Sequence, residues 1–200
     1  MKALIVVDVQ NDFLPGGALA VPDGDIVVPI INELMPQYEL VVATQDWHPA
    51  EHQSFASRHV GHAPGDVIDL YGVQQILWPD HCVQHSPGAS FAAGLDVTQF
   101  DHVVRKGDDP GIDSYSGFFD NDHRRATGLQ QILAERGVDA VDICGLAADY
   151  CVKFTALDAA QLGFTTTVFT DATRAVNLND GDFEAALEEV RNAGGRVTSS

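Results

Sequence analysis

Basic side chains are scarce in this 200-residue chain: 11 lysines and arginines stand against 29 acids, for a formal charge of −18. Twenty-two of those acids are aspartate. So negative a surface repels phosphate backbones and anionic headgroups, which argues against nucleic acid or acidic membrane as partner. A high-salt environment is also compatible with such a composition. Cysteine is sparse too, limited to Cys82, Cys144 and Cys151. An odd set of three makes no disulfide framework and points to a reducing compartment. Long apolar runs are missing near the start, where Ala3 to Val7 gives five such residues before Asp8. Five are too few for the centre of a secretory signal or for a membrane span. The expected location is therefore the cytoplasm. No repeat, low-complexity tract or linker divides the chain, so one domain over residues 1–200 is expected.

What is present is an ordinary globular composition, 45% hydrophobic with 18 Gly and 9 Pro, on a chain long enough to bury a sizeable core. Continuous β-branched runs at Ala3 to Val7, Leu40 to Ala43, His102 to Val104, Val141 to Cys144 and Thr165 to Phe169 read as strands. Helical spacing marks Ile26 to Leu34, Thr127 to Glu135, Cys151 to Leu162 and Phe183 to Ala193, and Arg196 to Thr198 suits a short last strand. Strands alternating with helices in this way predict an α/β fold, a parallel sheet covered on both faces. The segment between Ala43 and His102, rich in His, Asp, Pro and Gly, reads as irregular.

Asp8, Asp46, Lys106 and Cys151 each follow the carboxyl end of a predicted strand. Ligands of open α/β sheets bind along that edge, so four residues far apart in sequence are expected in one cleft. The competing reading is that strand ends meet loops and loops carry charge. Chemistry favours the first reading. A thiol nucleophile needs a base to take its proton and a cation to favour the thiolate, and Asp8 and Lys106 supply both. Cys151 is expected in the first turn of a helix capped by Asp149, where free N–H groups pull a thiol toward thiolate. The small-residue turn Gly145 to Ala148 lets backbone N–H groups approach a substrate, which makes Ala147 and Cys151 the candidate oxyanion donors.

A second constellation lies in TQDWHPAEHQSFASRH and WPDHC. Asp46-x-His48 places a carboxylate and an imidazole on one side of an extended segment, and both ligate borderline divalent metals. His81 could close that site. His52, His59, His62 and His85 fall in the same region, so counting histidines overpredicts ligands. Cys82 is expected to point into the core.

The stretches DVQNDFLPGGALAVP, TQDWHP with SFAS, WPDHCVQ, RKG with DSYSGF, and GLAADYCVKFTALDA together resemble the nicotinamidase/pyrazinamidase branch of the isochorismatase-like hydrolases. The resemblance spans nearly the whole chain, in the family's order and spacing. It implies a three-layer, Rossmann-like fold with a six-stranded parallel sheet and helices on both faces. The implied reaction is conversion of nicotinamide to nicotinate and ammonia in NAD salvage, with pyrazinamide as a further substrate. It places the family's triad on Asp8, Lys106 and Cys151, and its metal ligands on Asp46, His48 and His81. Ser54 occupies a variable fourth position, as a weak or water-mediated ligand. The implied cofactor is one divalent ion, zinc first, with iron or manganese as alternatives. A cis peptide is implied at Leu146-Ala147, and pocket walls at Phe13, Leu19, Trp78 and Tyr115 for a flat pyridine ring. The expected partner is the small-molecule substrate, and a homo-oligomer is compatible with the sequence. The rival readings are a carbamoyl or ureido amidase of the same superfamily and a non-catalytic metal-binding module.

Overall fold

The computed structural model describes residues 1–200. The first apolar run forms β1 (Lys2–Val7). Successive strand residues face opposite ways, so Leu4 and Val6 enter one core while Ala3, Ile5 and Val7 enter the other. The remaining strands of the main sheet are β2 (Val41–Asp46), β5 (His102–Lys106), β6 (Ala140–Leu146), β7 (Thr165–Arg174) and β8 (Arg196–Thr198). They lie in the order β5-β2-β1-β6-β7-β8, and every pairing is parallel. The expected six-stranded parallel sheet is what the chain forms.

Four helices cover it. Val27, Val28, Ile31 and Leu34 of α1 (Val27–Leu34) pack on the Leu4 and Val6 face. On the other face lie α2 (Leu129–Glu135), α3 (Lys153–Gln161) and α4 (Asp182–Asn192), which contribute Leu129, Leu133, Ala156, Ala159, Leu187 and Val190. Burying each large aliphatic side chain stabilises by about 1.5–3 kcal/mol. Two such layers around one sheet fix the strand ends firmly.

Several elements differ from the sequence expectation, β6 and β7 among them, which run on to Leu146 and Arg174. β2 and β5 run on through Asp46 and Lys106, because Thr44, Gln45 and Asp46 are buried polar residues that continue the ladder without an apolar signature. The segment read as irregular holds an antiparallel hairpin, β3 (Val67–Leu70) with β4 (Val73–Ile76), whose residues are mostly exposed or half-buried. Cys151 sits not in an α-helical turn but in a five-residue π-helical turn, Ala148–Val152, that leads into α3.

Chain direction reverses its course at β1: β2 and β5 extend to one side, β6 to β8 to the other. The crevice at the carboxyl ends of β1 and β6 is therefore a topological switch point, the usual ligand site of such sheets.

Candidate active site

Asp8 leaves the end of β1 with φ 46°. That left-handed conformation is uncommon for a residue with a side chain and costs on the order of 1–3 kcal/mol. Surrounding bonds hold it: Thr44 Oγ1 donates to Asp8 Oδ1 at 2.6 Å, and Lys106 Nζ lies 2.8 Å from Asp8 Oδ2. Beside it, Gly145 has φ 111°, and a Cβ there would collide with the Val7 carbonyl oxygen. Only glycine lets β6 pass so close to β1.

Asp46 and Lys106 are register partners across β2 and β5, so their side chains leave the sheet on the same face. Lys106 Nζ donates to Asp46 Oδ1 at 2.6 Å, to the Ser114 carbonyl at 2.8 Å and to Cys151 Sγ at 3.4 Å. The sulfur also lies within 4.8 Å of carboxylate oxygens of Asp8 and Asp46. Asp8 and Asp46 from two strand ends and Cys151 from the turn after β6 thus meet around one fully buried ammonium.

Their protonation follows from burial and charge. Burial would strip the proton from Lys106, but Asp46, Asp8 and Cys151 outweigh it and hold the amine well above its usual range. Burial raises the Asp8 carboxyl, with Lys106 opposing and Asp46 adding to the rise. For Asp46, burial is overcome by Lys106 and His48, and the carboxyl ends well below the ordinary range. Burial also pushes the Cys151 thiol well up, against Lys106 and with Asp8 and Asp46 assisting. This corrects the expectation of a resting thiolate: desolvation and two carboxylates exceed what one ammonium and a helix end supply. Asp149 likewise does not cap a helix; its two oxygens accept the N–H groups of Val176 and Asn177 at 2.9 and 2.8 Å.

Ala147 and Cys151 both line the adjoining cavity. The Leu146-Ala147 peptide is cis, and the Ala147 carbonyl accepts the N–H groups of Tyr150 and Val152 at 3.1 Å each.

The second oxygen of Asp46 faces two imidazoles: His48 Nε2 at 3.4 Å and His81 Nε2 at 3.7 Å. The other nitrogen of each ring meets a backbone carbonyl, His48 Nδ1 with Gly107 O at 2.9 Å and His81 Nδ1 with Pro79 O at 2.8 Å. A carbonyl can only accept, so each Nδ1 carries a proton, and each Nε2 is the nitrogen left to face a metal. That is how metal-ligating histidines are held. His48 Nε2 is buried with no hydrogen-bond partner. A carboxylate oxygen and two imidazole nitrogens, all within 4.8 Å of one another, fit a divalent ion. Gly107, at φ 68°, leaves room for the His48 ring where a Cβ would strike it.

Ser54 is buried next to this cluster, and its hydroxyl is engaged by His52 Nδ1 at 2.7 Å. The Ser54 N–H donates to the same nitrogen at 3.1 Å, so Nδ1 is an acceptor and the hydroxyl proton points to His52. Burial and His48 lower the His52 imidazole to about 4. Cys82 is buried in the core, as expected.

Phe13, Leu19, Trp78 and Tyr115 do come together, joined by Tyr150, Val176 and Asp113. Trp78 and Tyr150 meet edge-on at 4.8 Å, and Trp78 Nε1 donates to Tyr115 Oη at 3.1 Å. The cavity they line is about 20 Å³, the room of a single water. Asp113, Tyr150, Val176 and Thr44 were not read from sequence as site residues. Asp113 and Tyr150 sit inside DSYSGF and ADYC, where position in the motif was the only available signal.

The isochorismatase domain model matches residues 2–200. A nicotinamidase of Escherichia coli K12 is 48% identical over 197 residues, covering 96% of this chain and 92% of that protein. Among solved structures, a nicotinamidase/pyrazinamidase of Acinetobacter baumanii superposes with a TM-score of 0.96 at 45% identity, over 99% of this chain and 95% of its own. A pyrazinamidase of Pyrococcus horikoshii in complex with zinc gives 0.82 at 40% identity, over 100% and 99%. The chain is a member of the isochorismatase domain family, within its nicotinamidase branch.

Proposed function

We propose that the protein is a nicotinamidase that hydrolyses nicotinamide to nicotinate and ammonia through a thioester on Cys151. The observation that carries this reading is the single buried ammonium of Lys106, which touches Asp8, Asp46 and Cys151 at once, beside an aromatic-walled cavity. As Cys151 Sγ attacks the carboxamide carbon, its proton passes to Asp8, a base whose raised affinity for protons suits the transfer. The carbonyl oxygen gains the charge, and the Ala147 and Cys151 N–H groups donate to it. The C–N bond breaks, and the nitrogen takes the proton from Asp8 to leave as ammonia. Water then attacks the thioester and gives one proton to Asp8; the C–S bond breaks, Asp8 returns that proton to sulfur, and the acid leaves as nicotinate with its remaining proton passing to solvent. Lys106 stays protonated and balances the charge that develops on sulfur.

Phe13, Leu19, Trp78 and Tyr115 flank the pyridine ring. Asp46, His48 and His81 would hold the metal. Bound there, a divalent ion supplies a Lewis acid for the ring nitrogen; the donor set suits zinc, iron or manganese, and the zinc complex of the Pyrococcus relative favours zinc. Pyrazinamide, which keeps that ring nitrogen, is a second substrate. The chain works as one domain in the cytoplasm, in NAD salvage. Ammonia release from nicotinamide, measured before and after a chelator and after zinc is restored, tests the assignment. Release that vanishes with chelation and returns with zinc is expected. Metal-loaded protein that is inert on nicotinamide but cleaves a carbamoyl amide would sink it.

A further inference from the structure

Asp12 belongs neither to the ion-paired set nor to the histidine cluster, yet it joins their surroundings. Its Oδ2 accepts the Cys82 backbone N–H at 2.7 Å, and its Oδ1 accepts that of Ala18 at 3.3 Å. Its own N–H donates to Gly88 O at 3.0 Å, and its carbonyl accepts the Leu19 N–H at 2.9 Å. One residue therefore ties down the peptide that follows His81 and the loop that carries Leu19.

The tied peptide is an unusual one. Cys82 has φ 45°, a left-handed conformation that needs support in a residue with a side chain. The Cys82 carbonyl also accepts the His48 N–H at 3.0 Å, so this single residue meets both histidine-bearing segments. Gly88 has no side chain where the Asp12 carboxylate lies, and a Cβ there would collide with it. The neighbouring Asn11 anchors the same loop through Nδ2 to Pro87 O at 2.8 Å, with no hydrogen bond to His81 or Cys82.

We propose that Asp12 is a positioning residue that, through Cys82, sets His81 Nε2 for a divalent cation. Without the carboxylate the Cys82 N–H loses its acceptor, the left-handed peptide is free to turn, and His81 swings with it. Partners behind a metal ligand are typically worth about 10–100-fold in metal affinity. The inference rests on the metal reading given above.

Zinc dissociation constants from chelator competition test it, for wild type, Asp12→Ala, Asp12→Asn and Asn11→Ala. Metal-free circular dichroism identifies folded variants. Asp12→Ala is expected to weaken zinc about 10–100-fold, and Asp12→Asn less, since it keeps one acceptor oxygen; Asn11→Ala should bind as wild type does. Excess zinc should restore the nicotinamide KM of the Asp12 variants, which a general loosening of the fold would not allow. If Asp12→Ala does not fold, Asp12→Asn carries the comparison. Wild-type zinc affinity in the Asp12 variants, or an equal loss in Asn11→Ala, overturns the inference while leaving the metal site standing. A wild type that binds no zinc overturns both.

Discussion

Replacing Thr44 by Val removes one hydroxyl from the site and leaves its shape nearly unchanged. Thr44 Oγ1 donates to Asp8 Oδ1 at 2.6 Å, in a position with no solvent to replace it. A hydrogen bond to a charged group is worth about 1.5–3 kcal/mol. It favours the carboxylate over the carboxylic acid, so its loss raises the Asp8 pKa. That rise adds to the one burial already imposes, and at about 1.4 kcal/mol per tenfold the lost bond corresponds to a factor of about 10–100 in the equilibrium. Asp8 must be ionised to accept the Cys151 proton, so the rate falls as pH drops through its pKa. The acid limb of kcat/KM for nicotinamide should therefore move upward in Thr44→Val. Thr44→Ser keeps a donor and should leave the limb near its wild-type position. Steady-state rates from pH 4 to 9 on zinc-loaded protein decide it. If the valine limb coincides with wild type, either Asp8 is not the base or the Thr44 bond does not hold it.

Two further outcomes follow from the histidines. His48→Ala removes the imidazole held by Gly107 and should cost zinc binding, by equilibrium dialysis, together with a strongly raised nicotinamide KM; an unchanged KM would mean the metal does not anchor the ring. His52 is lowered from 6.5 to about 4, so the folded state resists its protonation while the unfolded state accepts it. The resulting stability is present above pH 6.5 and lost as pH falls toward 4, about 2 kcal/mol of it by pH 5. Urea unfolding of metal-free protein at pH 7 and 5 should show that loss in wild type and less of it in His52→Gln; an identical loss in both would assign the acid sensitivity elsewhere.

The strand ends were legible because apolar β-branched runs stop abruptly at Asp8, at Cys144 before the small-residue turn, and just before Lys106. Length was less legible, since buried Thr44, Gln45 and Asp46 find their hydrogen-bond partners on distant segments, at Asp8, Ala89 and Lys106, and break the apolar pattern. The hairpin at Val67–Ile76 is built of two four-residue strands, mostly exposed or half-buried, too short to show a clear period. Asp12 and Thr44 act through single hydrogen bonds to residues 70 and 36 positions away, and no local pattern records a partner at that distance. The direction of the Cys151 shift was missed for a related reason. Helix position is a local property, whereas complete burial next to two carboxylates exists only after folding.

The central claim is that the Cys151 sulfur carries the acyl group. Zinc-loaded Cys151→Ala, with its metal content verified, should release ammonia from nicotinamide at least about 10³-fold more slowly than wild type. Turnover within about tenfold of wild type, a difference of only about 1.4 kcal/mol in barrier, would contradict covalent catalysis and with it the account of the site.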